Sequence, residues 1–172
     1  MTSSGPKYYG KHRATVLNTV DPQMQGRIQV QLSDRYGMFP STWAMPSVPF
    51  AAKGQAGMIA LPQMGSAVWV EFEAGDLDYP IWSGGFWPDI GSFPVQALAG
   101  ATPLTPNLHF QTTTGVSVTL SDLPAAQVLV KTPTGAIISI GAAGITLSNG
   151  QGASIVMSGP SVIINGGALV IT

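Results

Sequence analysis

Residues 137–172 read IISIGAAGITLSNGQGASIVMSGPSVIINGGALVIT, and this stretch sets the architecture of the C-terminal half. Apolar residues stand in pairs at alternate positions, and each pair is followed by small residues, Gly or Asn-Gly. The pairs that recur are Val116/Val118, Val128/Val130, Ile138/Ile140, Ile145/Leu147, Ile155/Met157, Val162/Ile164 and Leu169/Ile171. Alternation predicts short strands with one apolar face, and the glycines predict sharp bends between them. The C-terminal half is therefore an irregular internal repeat of short strands.

Strands of this length are too short to fold alone. A single chain would bury one thin apolar seam and leave open strand edges, which invite pairing with copies of itself. Three chains wound around a common axis would close those edges, and seven stacked strands would make a needle of about 30–40 Å. From residue 108 onward only Asp122 and Lys131 are charged, which suits a thin symmetric shaft in which each residue meets its own copies. We predict a trimeric β-helix over residues 108–172.

The N-terminal half has the pattern of a small antiparallel barrel. Ile28, Val30 and Leu32 alternate with polar residues after the turn-rich link 21–26. Val68, Val70 and Phe72 alternate in the same way after a Gly-Ser turn. Prolines interrupt any long helical stretch. These features predict an all-β chain with an OB-like barrel over residues 1–90, and the Gly/Pro-rich residues 91–107 are expected to form a linker.

The composition limits the class of protein. Charged residues make up 9% of the chain and hydrophobic residues 45%, so a monomer could hardly surround this composition with a soluble surface. The absence of cysteine excludes disulfides, thiolate catalysis and cysteine-ligated zinc. No apolar run is long enough to span a bilayer, and residues 1–6 lack a hydrophobic targeting region. We expect a chain made in the cytosol and covered by its own copies.

The charges of the N-terminal half are segregated along the sequence. The basic residues other than Lys131 lie between Lys7 and Lys53, whereas residues 71–89 hold five acids and no base. The two groups could meet across subunits of an oligomer, or they could form two separately solvated faces of one barrel. The Lys7, Lys11 and Arg13 cluster could also dock an acidic surface of a partner. The sequence leaves these alternatives open.

Several residue pairs could carry chemistry but are better explained structurally. Glu71 and Glu73 are expected to share a strand face like a glycosidase pair, yet no sugar-binding cleft accompanies them. Asp76 and Asp78 lack the glycine and distal glutamate of a calcium loop. His12 stands in the basic string Lys11-His12-Arg13 and is expected to be solvated. We therefore predict no catalytic residue, no metal site and no cofactor.

The tryptophans could stack sugars or nucleotides, as on other OB surfaces. Trp43, Trp69, Trp82 and Trp87 with Tyr79 are the residues concerned. Acidic neighbours of Trp69 and Trp82 argue against a nucleic-acid surface, which favours packing in the core or between subunits.

Four segments together resemble the baseplate assembly protein V family. They are Gly26-Arg27-Ile28-Gln29-Val30, Trp43-Ala44-Met45-Pro46, Gly65-Ser66-Ala67-Val68-Trp69-Val70-Glu71-Phe72-Glu73 and Gly75-Asp76-Leu77-Asp78-Tyr79-Pro80-Ile81-Trp82-Ser83-Gly84. The resemblance covers residues 7–87, and its structural motif residues are Trp43, Trp69, Glu71, Phe72, Asp78, Tyr79, Pro80 and Trp82. It implies an OB-fold collar followed by a trimeric β-helix, which forms the central spike of contractile phage tails and related injection systems.

The chain also departs from parts of that family. The segment 88–106 leaves no room for the lysozyme domain that some relatives insert between collar and needle. His12 and His109 do not form the His-x-His pairs that hold a tip iron in other relatives. The apolar end Ala168-Leu169-Val170-Ile171-Thr172 suggests instead a separate cap of the PAAR-repeat type.

The resemblance implies a structural spike rather than an enzyme. As a homotrimer at the tail baseplate, assembled in the host cytoplasm, it would bind a hub protein and puncture the outer membrane of a target cell during genome ejection. No nucleic-acid partner is expected. The alternative is a carbohydrate-binding or nucleic-acid-binding OB and β-solenoid module. Phe110 is the one aromatic residue after residue 108, which argues against a sugar-binding solenoid.

Overall fold

The computed structural model describes residues 5–32 and 34–171, and these residues divide into two compact units with a boundary at 92/93. The first unit contains β1 (His12–Asn18), β2 (Gln29–Gln31), β3 (Met45–Pro46), β4 (Ala51–Ala52), β5 (Ala56–Gly57), β6 (Ala67–Phe72) and β7 (Pro80–Gly85). Five of its strands form a sheet in the order β2-β1-β6-β7-β3, in which β3 and β7 are parallel and the other neighbours antiparallel. β4 and β5 form a separate hairpin. A short 3₁₀ turn, Glu73–Gly75, joins β6 to β7.

The core of the first unit follows the predicted alternation. Ile28, Val30 and Leu32 are buried on one side of the β2 region. In β6 the burial alternates strictly, and Val68, Val70 and Phe72 lie inside. The prediction of a one-sided barrel strand in both places is confirmed.

The second unit contains eight strands in the described part of the chain. They are β8 (Leu108–Gln111), β9 (Ser117–Leu120), β10 (Val128–Lys131), β11 (Ile137–Gly141), β12 (Gly144–Ser148), β13 (Ser154–Ser158), β14 (Ser161–Ile164) and β15 (Leu169–Ile171). Each strand pairs antiparallel with the next, so the sheet is a meander with β8 and β15 at its edges. Short 3₁₀ turns at Val95–Leu98 and Asn165–Gly167 complete the unit.

Two details of the predicted repeat are corrected. Val116 precedes β9, so the apolar pair of that strand is Val118 and Leu120, and an additional strand, β8, comes before it. The strand edges are also closed differently from the expectation. Neighbouring strands of the same chain pair with each other, and what stays uncovered is a face of the sheet rather than its inner edges.

Glu73 does not share a strand face with Glu71. β6 ends at Phe72, because the backbone turns left-handed at Ala74 (φ 50°) and Gly75 (φ 74°). The close approach of the N-terminal segment adds to this requirement for glycine, since the Tyr8 amide donates to the Gly75 carbonyl at 2.9 Å. The predicted pairing of the two carboxylates is therefore wrong.

Candidate subunit interface

The second unit has no buried apolar core of its own. Among the described residues, the ten buried apolar side chains all lie between Ala14 and Trp82, in the first unit. A structural unit normally needs a hydrophobic core, shielded from water, in order to fold. A sheet of a single layer does not provide such a core. The covering layer of the second unit must therefore come from outside the single chain.

One face of the meander is apolar in every strand. The register aligns two ladders of side chains across the sheet, because residues two apart in a strand point to the same face. The first ladder is Leu108, Leu120, Val128, Ile140, Ile145, Met157 and Val162; the second is Phe110, Val118, Val130, Ile138, Leu147, Ile155, Ile164 and Leu169. We call these fifteen side chains the apolar face.

The apolar face is open and concave. Ile138 is 43% exposed and Phe110 is 50% exposed, and none of the fifteen side chains is buried. The sheet curls around this face and leaves a groove of about 580 Å³, lined by Val130, Ile138 and Leu147 among others. A surface of this size is far larger than the scattered apolar residues of an ordinary monomer. It is a surface built for association.

The opposite face carries a different chemistry. One row of this face mixes polar and apolar side chains: His109, Thr119, Leu129, Ser139, Thr146, Val156 and Ile163. The chain's own residues 93–107 lie against this face near β8 to β10, and a small cavity of about 250 Å³ separates them. Asn107 holds this segment by donating its Nδ2 hydrogens to the carbonyls of Ala97 and Ala99. The chain thus covers part of this mixed face itself, whereas the apolar face is continuous over β8 to β15 and is the surface suited to other subunits.

His109 uses both ring nitrogens in local hydrogen bonds. Nδ1 lies 2.7 Å from Thr119 Oγ1, and Nε2 lies 3.1 Å from Gln111 Oε1.

The described residues contain no group of three or more His, Asp or Glu side chains placed to hold a metal ion. The described part of the chain also forms no helix that is long and apolar enough to cross a membrane.

The turns that join the strands on one side of the sheet are stabilised by the same kind of hydrogen bond. In residues 112–116 and 132–136, Oγ1 of the first threonine accepts a hydrogen bond from the amide four residues later, at 3.1 Å in both turns. In residues 149–153 the Oδ1 atom of Asn149 does the same for Ala153, at 3.0 Å. Side-chain capping of this kind satisfies turn amides that no strand reaches. The edge is therefore a row of similar, well-bonded turns.

The motif residues of the barrel fall into three groups. Phe72, Pro80 and Trp82 are buried, and the Trp82 indole donates to the Gly26 carbonyl at 3.2 Å. Trp43, Trp69 and Glu71 are half-buried, whereas Asp78 and Tyr79 are exposed. The Trp82 hydrogen bond ties β7 to the β1–β2 link. Thr42, beside Trp43, donates its hydroxyl to the Asp78 carbonyl at 2.9 Å.

Arginines cover two of the tryptophans. The Arg13 guanidinium lies 5.4 Å from the Trp69 ring, and the Arg27 guanidinium lies 5.5 Å from the Trp43 ring. Cation–π contacts of this kind occupy ring faces that a sugar or base would need for stacking. Trp87, in contrast, is 59% exposed.

The segregated charges meet within the barrel. Lys7 Nζ lies 3.7 Å from Asp76, and Lys11 Nζ lies 3.3 Å from Glu71. The basic and acidic stretches therefore pair inside one chain, an arrangement that neither of the two alternatives considered from sequence anticipates. His12 is half-buried, with its ring centroid 5.3 Å from that of Phe72, so the expectation of a solvated side chain is wrong.

The β1–β2 link is held by an ion pair. Arg27 donates to Asp21 Oδ1 from Nη2 at 2.6 Å and from Nε at 3.1 Å. The amides of Gln23, Gln25 and Arg27 donate to the same carboxylate. The Arg27 guanidinium, with these amides, holds the pKa of Asp21 well below its usual range.

A barrel with its own core, followed by a sheet that lacks one, defines a class of protein: an oligomer whose subunits associate through the C-terminal sheet. Comparison with known families narrows this class. Residues 12–87 match the type VI secretion system/phage-baseplate injector OB domain, and residues 107–170 match the phage baseplate V C-terminal trimerisation domain. No curated protein sequence shows significant similarity to the chain.

The chain belongs to the phage baseplate V family. It is a structural component of the baseplate or spike, and the predicted OB fold and homotrimer are supported by the two matched domains.

Proposed function

We propose that the protein is the central spike of a contractile injection particle, and that three copies bury their apolar faces against one another to form its shaft. The observation that carries this proposal is the fifteen-residue apolar face, which has no cover within one chain. Full burial of a large apolar side chain contributes about 1.5–3 kcal/mol. Completing the burial of fifteen half-exposed side chains would thus contribute on the order of 10 kcal/mol per copy, enough to hold a trimer together.

Two neighbouring residues of β11 offer a matched test of the buried face. Ile138 belongs to the apolar face, whereas Ser139 points to the opposite side. Ile138→Asp places a carboxylate between the copies, where desolvation is costly, so we expect loss of the trimer. Ser139→Asp should leave the trimer intact. Light scattering on both full-length variants gives the mass; a trimeric Ile138→Asp protein would contradict the buried face.

The action proposed for the assembled shaft is mechanical. Contraction of a sheath would drive the shaft through the outer membrane of the target, and no bond would be made or broken. The low charge of residues 108–172 supports this, because having a single carboxylate and a single ammonium side chain per copy limits the cost of contact with lipid. The paired backbone of the inner strands β9 to β14 supports it as well.

Puncturing can be measured on whole particles. Particles carrying the full spike, or a spike truncated after Pro106, are added to target cells that hold β-lactamase in the periplasm. Entry of a chromogenic β-lactam reports a breach of the outer membrane. We expect a breach with the full spike alone; equal signals from particles with both spikes would refute membrane puncture by the shaft.

The remaining partners are proposals drawn from the family. A hub protein would hold the barrels at the baseplate, and the particle would be assembled in the host cytoplasm. A PAAR-type protein would cover the distal end, which is supported by the position of β15 at the outer edge of the sheet. Density beyond the shaft in imaged particles would support the cap, and a bare shaft end would refute it.

A further inference from the structure

Asp122 and Lys131 lie at the same level of the second unit but at opposite ends of the strand pair β9–β10, so that they belong to the two opposite rows of turns that flank the sheet. β9 runs from Ser117 to Leu120, the connection 121–127 turns the chain, and β10 returns from Val128 to Lys131. The register pairs Ser117 with Lys131 and Leu120 with Val128. Asp122 therefore stands beyond one end of this strand pair, and Lys131 stands at the other.

Within one chain neither charge has a partner. Both residues are exposed, and no ion pair or side-chain hydrogen bond involves the Asp122 carboxylate or the Lys131 ammonium among the described residues. The strand residues that separate them span about 10 Å at 3.3–3.4 Å per residue. The two groups are also the only carboxylate side chain and the only Lys or Arg side chain in residues 93–172. A shaft that otherwise avoids charge retains one of each sign at one level.

Threefold symmetry brings these opposite edges together. In a ring of three parallel copies the contacts are heterologous, so one edge of each subunit meets the other edge of the next. The edge formed by residues 112–116, 132–136 and 149–153 would face the neighbouring edge formed by residues 121–127, 142–143 and 159–160. Lys131 belongs to the first edge and Asp122 to the second, at the same level.

We infer that Lys131 of each copy forms an ion pair with Asp122 of the adjacent copy, which gives a ring of three ion pairs around the base of the shaft. The inference rests on the inward packing of the apolar face proposed above. The ring specifies the register, because apolar ladders that repeat at each strand would tolerate an axial slip by one strand pair. A slipped trimer would leave six unpaired charges.

A zero-length carbodiimide cross-link tests the contact directly in the full-length trimer. The reagent activates the Asp122 carboxylate, the Lys131 amine attacks it, and an amide forms as the urea leaves. We expect covalent dimers and trimers on a denaturing gel, with the Asp122–Lys131 peptide identified by mass spectrometry. Asp122→Asn and Lys131→Gln are the controls, and each should remove that peptide.

Charge reversal gives a second readout. Lys131→Asp should accelerate trimer dissociation on the order of tenfold, because three exposed pairs become repulsive. Adding Asp122→Lys to the same chain should restore the original rate within about threefold. The difference in dissociation rate between the Lys131→Asp trimer and the unsubstituted trimer should be smaller in 1 M salt, where the Debye length is about 3 Å.

The outcomes separate this inference from the proposed packing. A trimer by light scattering whose Asp122–Lys131 peptide occurs in the monomer band alone, or not at all, overturns the ion-pair ring and leaves the packing intact. Failure of the double reversal to restore the rate would also overturn it. A monomeric native chain would instead overturn the packing itself.

Discussion

Substitution of Gly150 tests whether adjacent turns of the shaft rest on each other. A Cβ atom added at Gly150 would lie 2.6 Å from the carbonyl carbon of Gly135, 2.8 Å from the Thr134 oxygen and 2.9 Å from the Ala136 nitrogen. All three atoms are backbone atoms of the preceding turn, so no side-chain rotation can relieve the overlap. Gly150→Ala must push the two turns apart.

Gly166, in the last turn of the same row of turns, is the matched control. Both glycines have positive φ, +74° at Gly150 and +65° at Gly166, so alanine is strained at either position by about 1–2 kcal/mol. A Cβ at Gly166 meets nothing within 4 Å. Overpacking of a tight contact adds about 1–3 kcal/mol, and in this pair only Gly150→Ala incurs it. With three copies, the two trimers should differ by on the order of 3–9 kcal/mol.

The assay is the rate at which each trimer dissociates in guanidinium, followed by circular dichroism and by mass. A rate is preferable to a melting temperature, because trimeric shafts of this kind tend to unfold irreversibly. We expect Gly150→Ala to dissociate much faster than Gly166→Ala. Equal rates for the two variants would refute the turn-on-turn contact.

Two ionisable groups of the barrel give further predictions. The folded-state pKa of Asp21 is lowered chiefly by Arg27, so its stabilisation is present above about pH 4 and is lost as the pH falls below it. The gap in guanidinium midpoint between wild type and Asp21→Asn should therefore narrow from pH 4 to pH 2; a constant gap would contradict the ion pair. Burial of the Tyr36 hydroxyl, and to a lesser extent the negative charge of Asp78, raises the pKa of Tyr36 to about 12. The contribution of neutral Tyr36 to the free energy of unfolding is therefore fully present below pH 10 and is lost as the pH rises towards 12. Tyr36→Phe should lack this alkaline loss while costing about 1 kcal/mol at pH 7, because its hydroxyl donates to the Leu77 carbonyl; an unchanged alkaline profile would argue against this.

The alternation of apolar and polar residues correctly predicted which side chains of a strand lie on the same face of the sheet. In β6 every second residue is buried as expected, and the five apolar pairs from Val128/Val130 to Val162/Ile164 all fall on the apolar face. This success has a simple cause: side chains in a strand alternate regardless of which strand pairs with it. The pattern of a single strand therefore carries its own orientation.

Pairing partners and strand ends were harder to predict, because they depend on contacts far along the chain. The 3₁₀ turn that removes Glu73 from β6 is fixed by the approach of Tyr8, which no local pattern reveals. The inward position of His12 follows from its register opposite Val70 in β6. In the second unit, each strand pairs with the next strand of the same chain because every connection reverses the chain direction. The spacing of the repeats does not reveal whether the partner strand comes from the same chain or from another copy.

The direction of the hydrogen bonds suits the mechanical function proposed for the shaft. In an antiparallel meander the inter-strand hydrogen bonds run perpendicular to the strands, along the direction in which β8 to β15 are stacked. A force applied along that direction compresses the bonds and does not shear neighbouring strands past each other. The contact between Gly150 and the turn at Gly135 adds a backbone-to-backbone stop at the edge. Resistance to load would thus come from backbone geometry, while the apolar face keeps three such sheets together.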